Sequence, residues 1–261
     1  MSKIINEDVK DVFFNYQDAL IHSFVYFIRK HIESTQNFLD YSIKNIIDFC
    51  GFCCIKTQKN LQSIEVLLDN GLAENIYATN RSIYESYLYV LAFNQNPDLF
   101  NEKILPKLND EEYSFKISPN GKINYNEVIH KKTNETINLN LTIKELAKMS
   151  PYSEDIDLYN LFYRLSSQFV HVDVLSAKSY FYEHDPFQEV DQSLIAATIG
   201  ITFSVLLIEQ MGILSNTIFK SDIAYFVKKS KPELVMYFNL IYHSPLCKNE
   251  VLLILIDRLQ K

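Results

Sequence analysis

A stretch of seventeen residues without a charged side chain, QSLIAATIGITFSVLLI at 192–208, limits the folds open to this chain. A helix this apolar has to be covered, either by lipid or by the rest of the protein. A membrane span usually needs about 20 apolar residues, whereas this stretch holds four serine and threonine side chains and ends at Glu209. We therefore predict a buried central helix over about 187–214. A membrane helix is the alternative, which cell fractionation would detect.

Small residues recur at every fourth position of this stretch, at Ala196, Gly200 and Ser204. Residues four apart lie on one side of an α-helix, so these three form a smooth ridge against which another helix can pack closely. The composition suits helical partners, since the chain has only five glycines and no tryptophan but 17 tyrosines and 18 phenylalanines. The sequence thus predicts long helices packed through aromatic side chains.

Hydrophobic periodicity and stop signals divide most of the chain into helices. The stop signals include DNG at 69–71, where glycine ends a helix, and NQNPD at 94–98, where proline disfavours helix in the residue before it. The predicted helices cover about 8–29, 32–54, 57–68, 73–93, 142–148, 154–174, 187–214, 222–229, 232–242 and 248–259.

Residues 110–141 differ from the rest, because polar and apolar residues alternate there around SPNGK. This pattern predicts a two-stranded β-hairpin with Gly121 at a turn position of positive φ. The predicted fold class is therefore all-α, a helical bundle with a small inserted hairpin. We expect a single helical domain over 1–261, with a C-terminal helical extension over 215–261.

The charge balance restricts the classes of partner. With 32 acidic and 25 basic residues, the formal net charge is −7, which argues against binding along nucleic acid through overall charge but leaves room for a local basic patch. The N-terminal sequence MSKIINEDVKDVFF has no basic start, apolar core or cleavage site of a secretory signal. We expect a cytoplasmic protein without a membrane partner, whose four cysteines are reduced.

The stretch YRLSSQFVH at 163–171 contains the main candidates for chemistry, Arg164 and His171. Seven residues apart, they lie within about 20° of each other around an ideal helix and about 10 Å apart along it. The same stripe carries four more polar residues and no Lys or Glu, and the opposite side is apolar. The polar set is Asp157, Asn160, Ser167 and Gln168, and the apolar set is Leu161, Phe162, Leu165, Phe169 and Val172.

Two interpretations of this stripe remain open. Any amphipathic surface helix has one polar side. However, Arg, His, Ser, Asn and Gln are side chains that bind or polarise a ligand, and a sheltered crevice containing both Arg164 and His171 would make the stripe a site. A second polar group, Arg81 and Glu85, lies at i and i+4 in the helix predicted over 73–93 and is expected to form an ion pair. That pair either only stabilises the fold or also reaches across to Arg164 or His171 and orients the imidazole.

Metal sites are the weaker alternatives. CGFCC at 50–54 with His243 and Cys247 offers zinc ligands, but their apolar helical context favours buried thiols. A second group of possible metal ligands has no spacing that fixes a coordination geometry. It consists of His171, Asp173, His184 and Asp185. We predict no metal and no cofactor.

The run LQSIEVLLDNGLAENIYATNRSIYESYLYVLAF, followed later by YRLSSQFVHVD, resembles a bacterial all-helical domain family of unknown function over roughly 50–177. The R-x6-H spacing of Arg164 and His171 also resembles the motif of the HEPN superfamily, helical proteins of bacterial toxin, abortive-infection and antiviral systems. Many HEPN members are metal-independent ribonucleases that act as dimers, and others bind or dimerise without cutting.

The HEPN resemblance implies a ribonuclease that acts on RNA as a homodimer, encoded beside a protein partner in a stress or phage-defence operon. His171 would then transfer protons at the 2′-hydroxyl or the departing 5′-oxygen. Arg164 would neutralise charge on the phosphate. Ser167, Gln168 and Asn160 would hold substrate, and Arg81 with Glu85 would orient the imidazole. The alternative is a non-catalytic interaction or ligand-sensing module using the same groove.

Overall fold

The computed structural model describes residues 43–70, 72–170, 186–214, 220–242 and 250–261, together with seven separate positions between 15 and 26. The described chain is mostly helical with one small antiparallel sheet, as predicted. Its α-helices are α1 (Ile46–Asp69), α2 (Ala73–Gln95), α3 (Leu105–Leu108), α4 (Ile143–Met149), α5 (Ser153–Leu158), α6 (Arg164–Val170), α7 (Pro186–Leu214), α8 (Lys220–Tyr242) and α9 (Glu250–Leu259). Two π-helical turns cover Phe100–Ile104 and Tyr159–Tyr163.

Helix α7 contains the uncharged stretch and forms the centre of the core. Its segment Gln192–Ile213 has a mean hydropathy of 1.8 and would be long enough to cross a membrane, but 89% of the most apolar part is buried by the protein itself. The helix packs mainly against α2 and also contacts α1 and α8. The prediction of a buried central helix is therefore confirmed.

The small-residue ridge of α7 is where α2 approaches. Asn80 of α2 is fully buried, and its Nδ2 donates to the backbone oxygen of Ala196 over 2.6 Å. A Cβ atom added to Gly200 would lie 2.2 Å from Asn80 Oδ1 and 2.9 Å from Ile64 Cδ1. Glycine at this position is thus required by close packing, as the ridge predicted.

Two predicted breaks between helices are absent from the structure. Helix α1 runs without a break through Cys54–Thr57, and it begins at Ile46 because Asn45 and Asp48 form a capping box. Helix α8 continues through Pro232, although two helices were predicted there. Proline removes one backbone hydrogen bond, but the buried face of α8 on the core keeps the helix continuous. The predicted helix over 8–29 is helical at its seven described positions, and residues 27–42 lie outside the description.

The insertion contains the predicted hairpin and one strand more. Strand β1 (Tyr113–Ile117) pairs antiparallel with β2 (Ile123–His130), and Gly121 in the turn has a φ of 80°. A third strand, β3 (Thr136–Asn138), pairs antiparallel with β2. Three residues are too few to show a period of two in the sequence, so β3 was not predicted.

Candidate functional site

The predicted ion pair on α2 is present and half-buried. Arg81 Nε lies 3.2 Å from Glu85 Oε1, and the two side chains are 24% and 26% exposed. Solvent therefore reaches both side chains only in part. The pair contacts the helical segment that carries the candidate motif, but at a residue that the sequence analysis did not select.

That residue is Tyr163, which is only 8% exposed. Its hydroxyl donates to Glu85 Oε1 over 2.8 Å and accepts from Arg81 Nη2 over 2.9 Å. The guanidinium of Arg81 also lies over the Tyr163 ring, 4.7 Å from its centroid. One alternative was that Arg81 or Glu85 reaches Arg164 or His171. The bonds above join the pair to the residue before Arg164, and its contact with His171 stays a prediction because His171 lies outside the described residues. We call Arg81, Glu85 and Tyr163 the tyrosine clamp.

The phenol of the clamp remains protonated. Burial, followed by the hydrogen bond and the negative charge of Glu85, raises the pKa of Tyr163 to about 12. Its hydroxyl therefore keeps the proton that it donates to Glu85 throughout the physiological pH range. The clamp thus joins α2 to the motif segment through a phenol that stays protonated near neutral pH.

Arg164 follows the π-helical turn that ends at Tyr163 and begins α6. It is exposed, so its guanidinium does not lie in the sheltered crevice that was expected, whereas the preceding Tyr163 is buried. Asn160, four residues earlier, is exposed as well. His171 lies outside the described residues, and its position relative to Arg164 stays a prediction.

The apolar side of the motif segment is shifted from the one predicted. Leu161 and Leu165 were expected to face inward, but they are 40% and 47% exposed, whereas Ser166 is buried. An α-helical wheel fails here because a π turn adds one residue, and each added residue rotates the following chain by about 100°. Phe162 is buried as predicted.

The polar residues beyond Arg164 are half-buried. Ser167 donates its hydroxyl to the backbone oxygen of Tyr163 over 2.8 Å, and Ser166 bonds Phe162 in the same way. These bonds satisfy the carbonyl groups at the end of the π turn. Ser167 therefore supports the turn. Gln168 is half-buried as well, and its role toward a substrate stays a prediction.

A second polar cluster, which the sequence analysis also missed, joins α9 to α5. Arg258 and Asp155 are fully buried, with Arg258 Nε 3.6 Å from Asp155 Oδ1. The Tyr87 hydroxyl donates to Asp155 Oδ2 over 2.8 Å and accepts from Arg258 Nη2 over 2.8 Å. The centroid of the Tyr152 ring lies 3.5 Å from the guanidinium carbon of Arg258. Burial raises the pKa of Asp155, and the charge of Arg258 opposes that rise. We call these four residues the buried charge cluster.

The described cysteines are buried thiols. Cys50, Cys53 and Cys54 are free and buried, as predicted, and burial raises the pKa of Cys53 to about 12. His243 and Cys247 lie outside the described residues. Among the described part of the chain, Asp18, His22 and Glu65 bring potential metal-binding atoms within 4.8 Å of one another. His22 and Asp18 are mostly exposed, and the sequence analysis named none of the three.

Comparison with known proteins identifies a family whose matched region contains the clamp. The model of the family of unknown function DUF5677 matches residues 48–188, more than half of the chain. The protein is a member of DUF5677. The match contains the clamp, Arg164 and His171, and it confirms the predicted resemblance to an uncharacterised helical family. Arg258 lies beyond the match. No curated protein and no solved structure matches the chain.

Proposed function

We propose that this DUF5677 member is a metal-independent ribonuclease of the HEPN type, acting in a bacterial stress or phage-defence system. The observation that carries the proposal is an exposed guanidinium, Arg164, that follows directly after a residue anchored on α2 by two hydrogen bonds. A cation on a fixed backbone, accessible to a large substrate, is suited to binding a phosphate diester. His171, seven residues further along, supplies a group that titrates near neutral pH.

The reaction needs these two groups only. His171 removes the proton from the ribose 2′-hydroxyl, whose oxygen attacks the phosphorus, and the P–O5′ bond breaks. Returning that proton to the departing 5′-oxygen gives a 2′,3′-cyclic phosphate and a 5′-hydroxyl. Arg164 stabilises the charge on the non-bridging oxygens. Asn160 and Gln168 hold neighbouring groups of the RNA, while Ser167 supports the helix turn.

The proposed assembly is a homodimer in the cytoplasm, working with an operon-encoded protein partner and without a cofactor or membrane. Leu161 and Leu165 expose apolar surface on either side of Arg164. A second copy that covers this surface would also shelter Arg164, which the single chain leaves exposed. The dimer thus supplies the crevice that the chemistry requires.

The test combines toxicity with cleavage by purified protein. We expect growth arrest on expression of the wild type but not of Arg164→Ala or His171→Ala. The purified wild type is expected to cut single-stranded RNA in the presence of EDTA and to leave cyclic phosphate ends. Lys148→Ala, which removes an exposed positive charge from α4, is the matched control and should behave as wild type. Equal behaviour of all four proteins would disprove the ribonuclease.

A second candidate is a non-catalytic interaction or ligand-sensing module. The observation that favours it is the exposure of Leu161 and Leu165, since apolar side chains around a single arginine are typical of a protein-binding surface. In that case wild type and His171→Ala are equally harmless to cells. Leu165→Asp, rather than His171→Ala, would then abolish binding to the partner protein.

A further inference from the structure

The direction in which Arg164 points depends on the π turn before it. In a continuous α-helix, Arg164 would lie about 100° away from its present position around the helix axis. Leu161 and Leu165 are exposed and Ser166 is buried because of this offset. If the turn relaxed to an α-helix, the residues after it would rotate relative to α5, and the guanidinium of Arg164 would point in another direction.

Contacts of Tyr163 hold the turn in place. Its ring stacks on Tyr159, at the other end of the same turn, with centroids 5.3 Å apart and an interplanar angle of 21°. Its hydroxyl is fixed from α2 by Glu85 and Arg81, at 2.8 and 2.9 Å. A rotation by one residue would draw this hydroxyl away from both partners. The two hydrogen bonds therefore select the π turn over the regular helix.

We propose that Tyr163 is a positioning residue: the hydrogen bonds of its hydroxyl to Glu85 and Arg81 hold the π turn and so fix the direction of Arg164. The consequence for catalysis rests on the proposed ribonuclease function, but the direction of Arg164 does not. In this proposal Arg81 and Glu85 act on Arg164 through Tyr163.

Tyr163→Phe is the discriminating variant, because it removes the hydroxyl and keeps the ring, its stack on Tyr159 and the contact with the Arg81 guanidinium. Arg81 and Glu85 are each about one quarter exposed, so water replaces the lost bonds and the fold survives. Tyr159→Phe is the matched control, since it makes the same chemical change on the same turn without touching the bonds to Glu85 and Arg81.

The first measurement is the NMR signal of the Arg164 Nε–H group, assigned by its loss in Arg164→Lys. We expect it to shift in Tyr163→Phe and to stay unchanged in Tyr159→Phe. This readout does not require the protein to cut RNA. An unmoved signal in Tyr163→Phe would overturn the positioning role, whatever the function of the chain.

The second measurement is the rate of RNA cleavage. A misdirected guanidinium loses stabilisation of the transition state, so we expect kcat of Tyr163→Phe to fall by about 10- to 100-fold, with KM changed much less. The pH profile should keep its shape, because His171 is retained. If the wild type cuts RNA and Arg164→Ala does not, but Tyr163→Phe cuts as fast as wild type, the positioning role is wrong and the proposed function stands. If the wild type does not cut but the Arg164 signal moves, the function fails and the positioning stands.

Discussion

Arg258 is a fully buried guanidinium whose main counter-charge is Asp155, a carboxylate that is buried to the same degree. Moving both charges out of water is costly, and the pair offsets that cost only while both partners are present. For Asp155, burial outweighs the attraction of Arg258, and the pKa of its carboxyl group is raised. Burial raises it in the folded protein, so the folded state gains stability from a protonated Asp155 below the unfolded pKa of about 3.9. That gain is lost as the pH rises through the folded pKa.

Arg258→Met is therefore expected to destabilise the protein in a pH-dependent way. At pH 7 it removes the counter-charge of the buried Asp155, and we expect a loss of about 3 to 5 kcal/mol in the free energy of unfolding. Losing Arg258 raises the pKa of Asp155 further, so the carboxyl group takes up a proton on acidification. The difference from wild type should be smaller at pH 5 than at pH 7 by urea unfolding. Asp155→Asn/Arg258→Met should cost less than Arg258→Met at pH 7, and the reverse order would contradict the buried charge cluster.

Gly200 gives a second prediction for a single residue. Alanine there would place a methyl group 2.2 Å from Asn80 Oδ1, and Asn80 cannot turn aside without losing its bond to Ala196. We expect Gly200→Ala to lower the free energy of unfolding by about 1 to 3 kcal/mol. In Asn80→Ser/Gly200→Ala the shorter side chain makes room, so the double variant should cost less than the sum of its two single changes. Additive costs in thermal or urea unfolding would show that the two residues do not clash.

The secondary-structure elements differ in how well the sequence predicts them. The glycine turn and alternating pattern around Gly121 predict the hairpin, and the uncharged run predicts α7, because each rests on a strong local signal. The π turn at Tyr159–Tyr163 has no such signal. It is stabilised by Glu85 and Arg81, far away in the chain, so a helical wheel at 100° per residue assigns the wrong apolar side to Leu161 and Leu165.

The candidate site also contains one feature that the sequence predicts and others that it does not. The Arg81–Glu85 pair follows from its i, i+4 spacing and is present. Its contact with Tyr163 could not be derived, since it needs the packing of α2 against the motif segment. The tyrosines at 159 and 163, four residues apart, were the available hint that this side of the segment is packed. The buried charge cluster carries no local pattern at all, since Asp155 and Arg258 lie 103 positions apart in the sequence.

At the scale of the whole molecule, a net charge of −7 opposes both binding of RNA and self-association. A dimer therefore needs local charge complementarity, and the exposed surface of the motif segment offers it. Asp157 and Arg164 are exposed on either side of Asn160 and Leu161. In a pair related by a two-fold axis midway between Asn160 and Leu161, Asp157 of each copy lies opposite Arg164 of the other. We propose this antiparallel pairing for the homodimer, in which Asp157 of the other copy occupies part of the five-donor guanidinium of Arg164 and the remaining N–H groups face the RNA phosphate.

Charge reversal separates this assembly from catalysis. Asp157→Arg or Arg164→Asp places like charges opposite each other, and we expect each to weaken the dimer about tenfold or more in analytical ultracentrifugation. The double variant restores opposite charges across the axis and should restore the dimer. It still lacks the guanidinium at 164 that the reaction needs, so it should not cut RNA. A double variant that remains monomeric would rule out the pairing, and one that dimerises and cuts would show that Arg164 serves assembly alone.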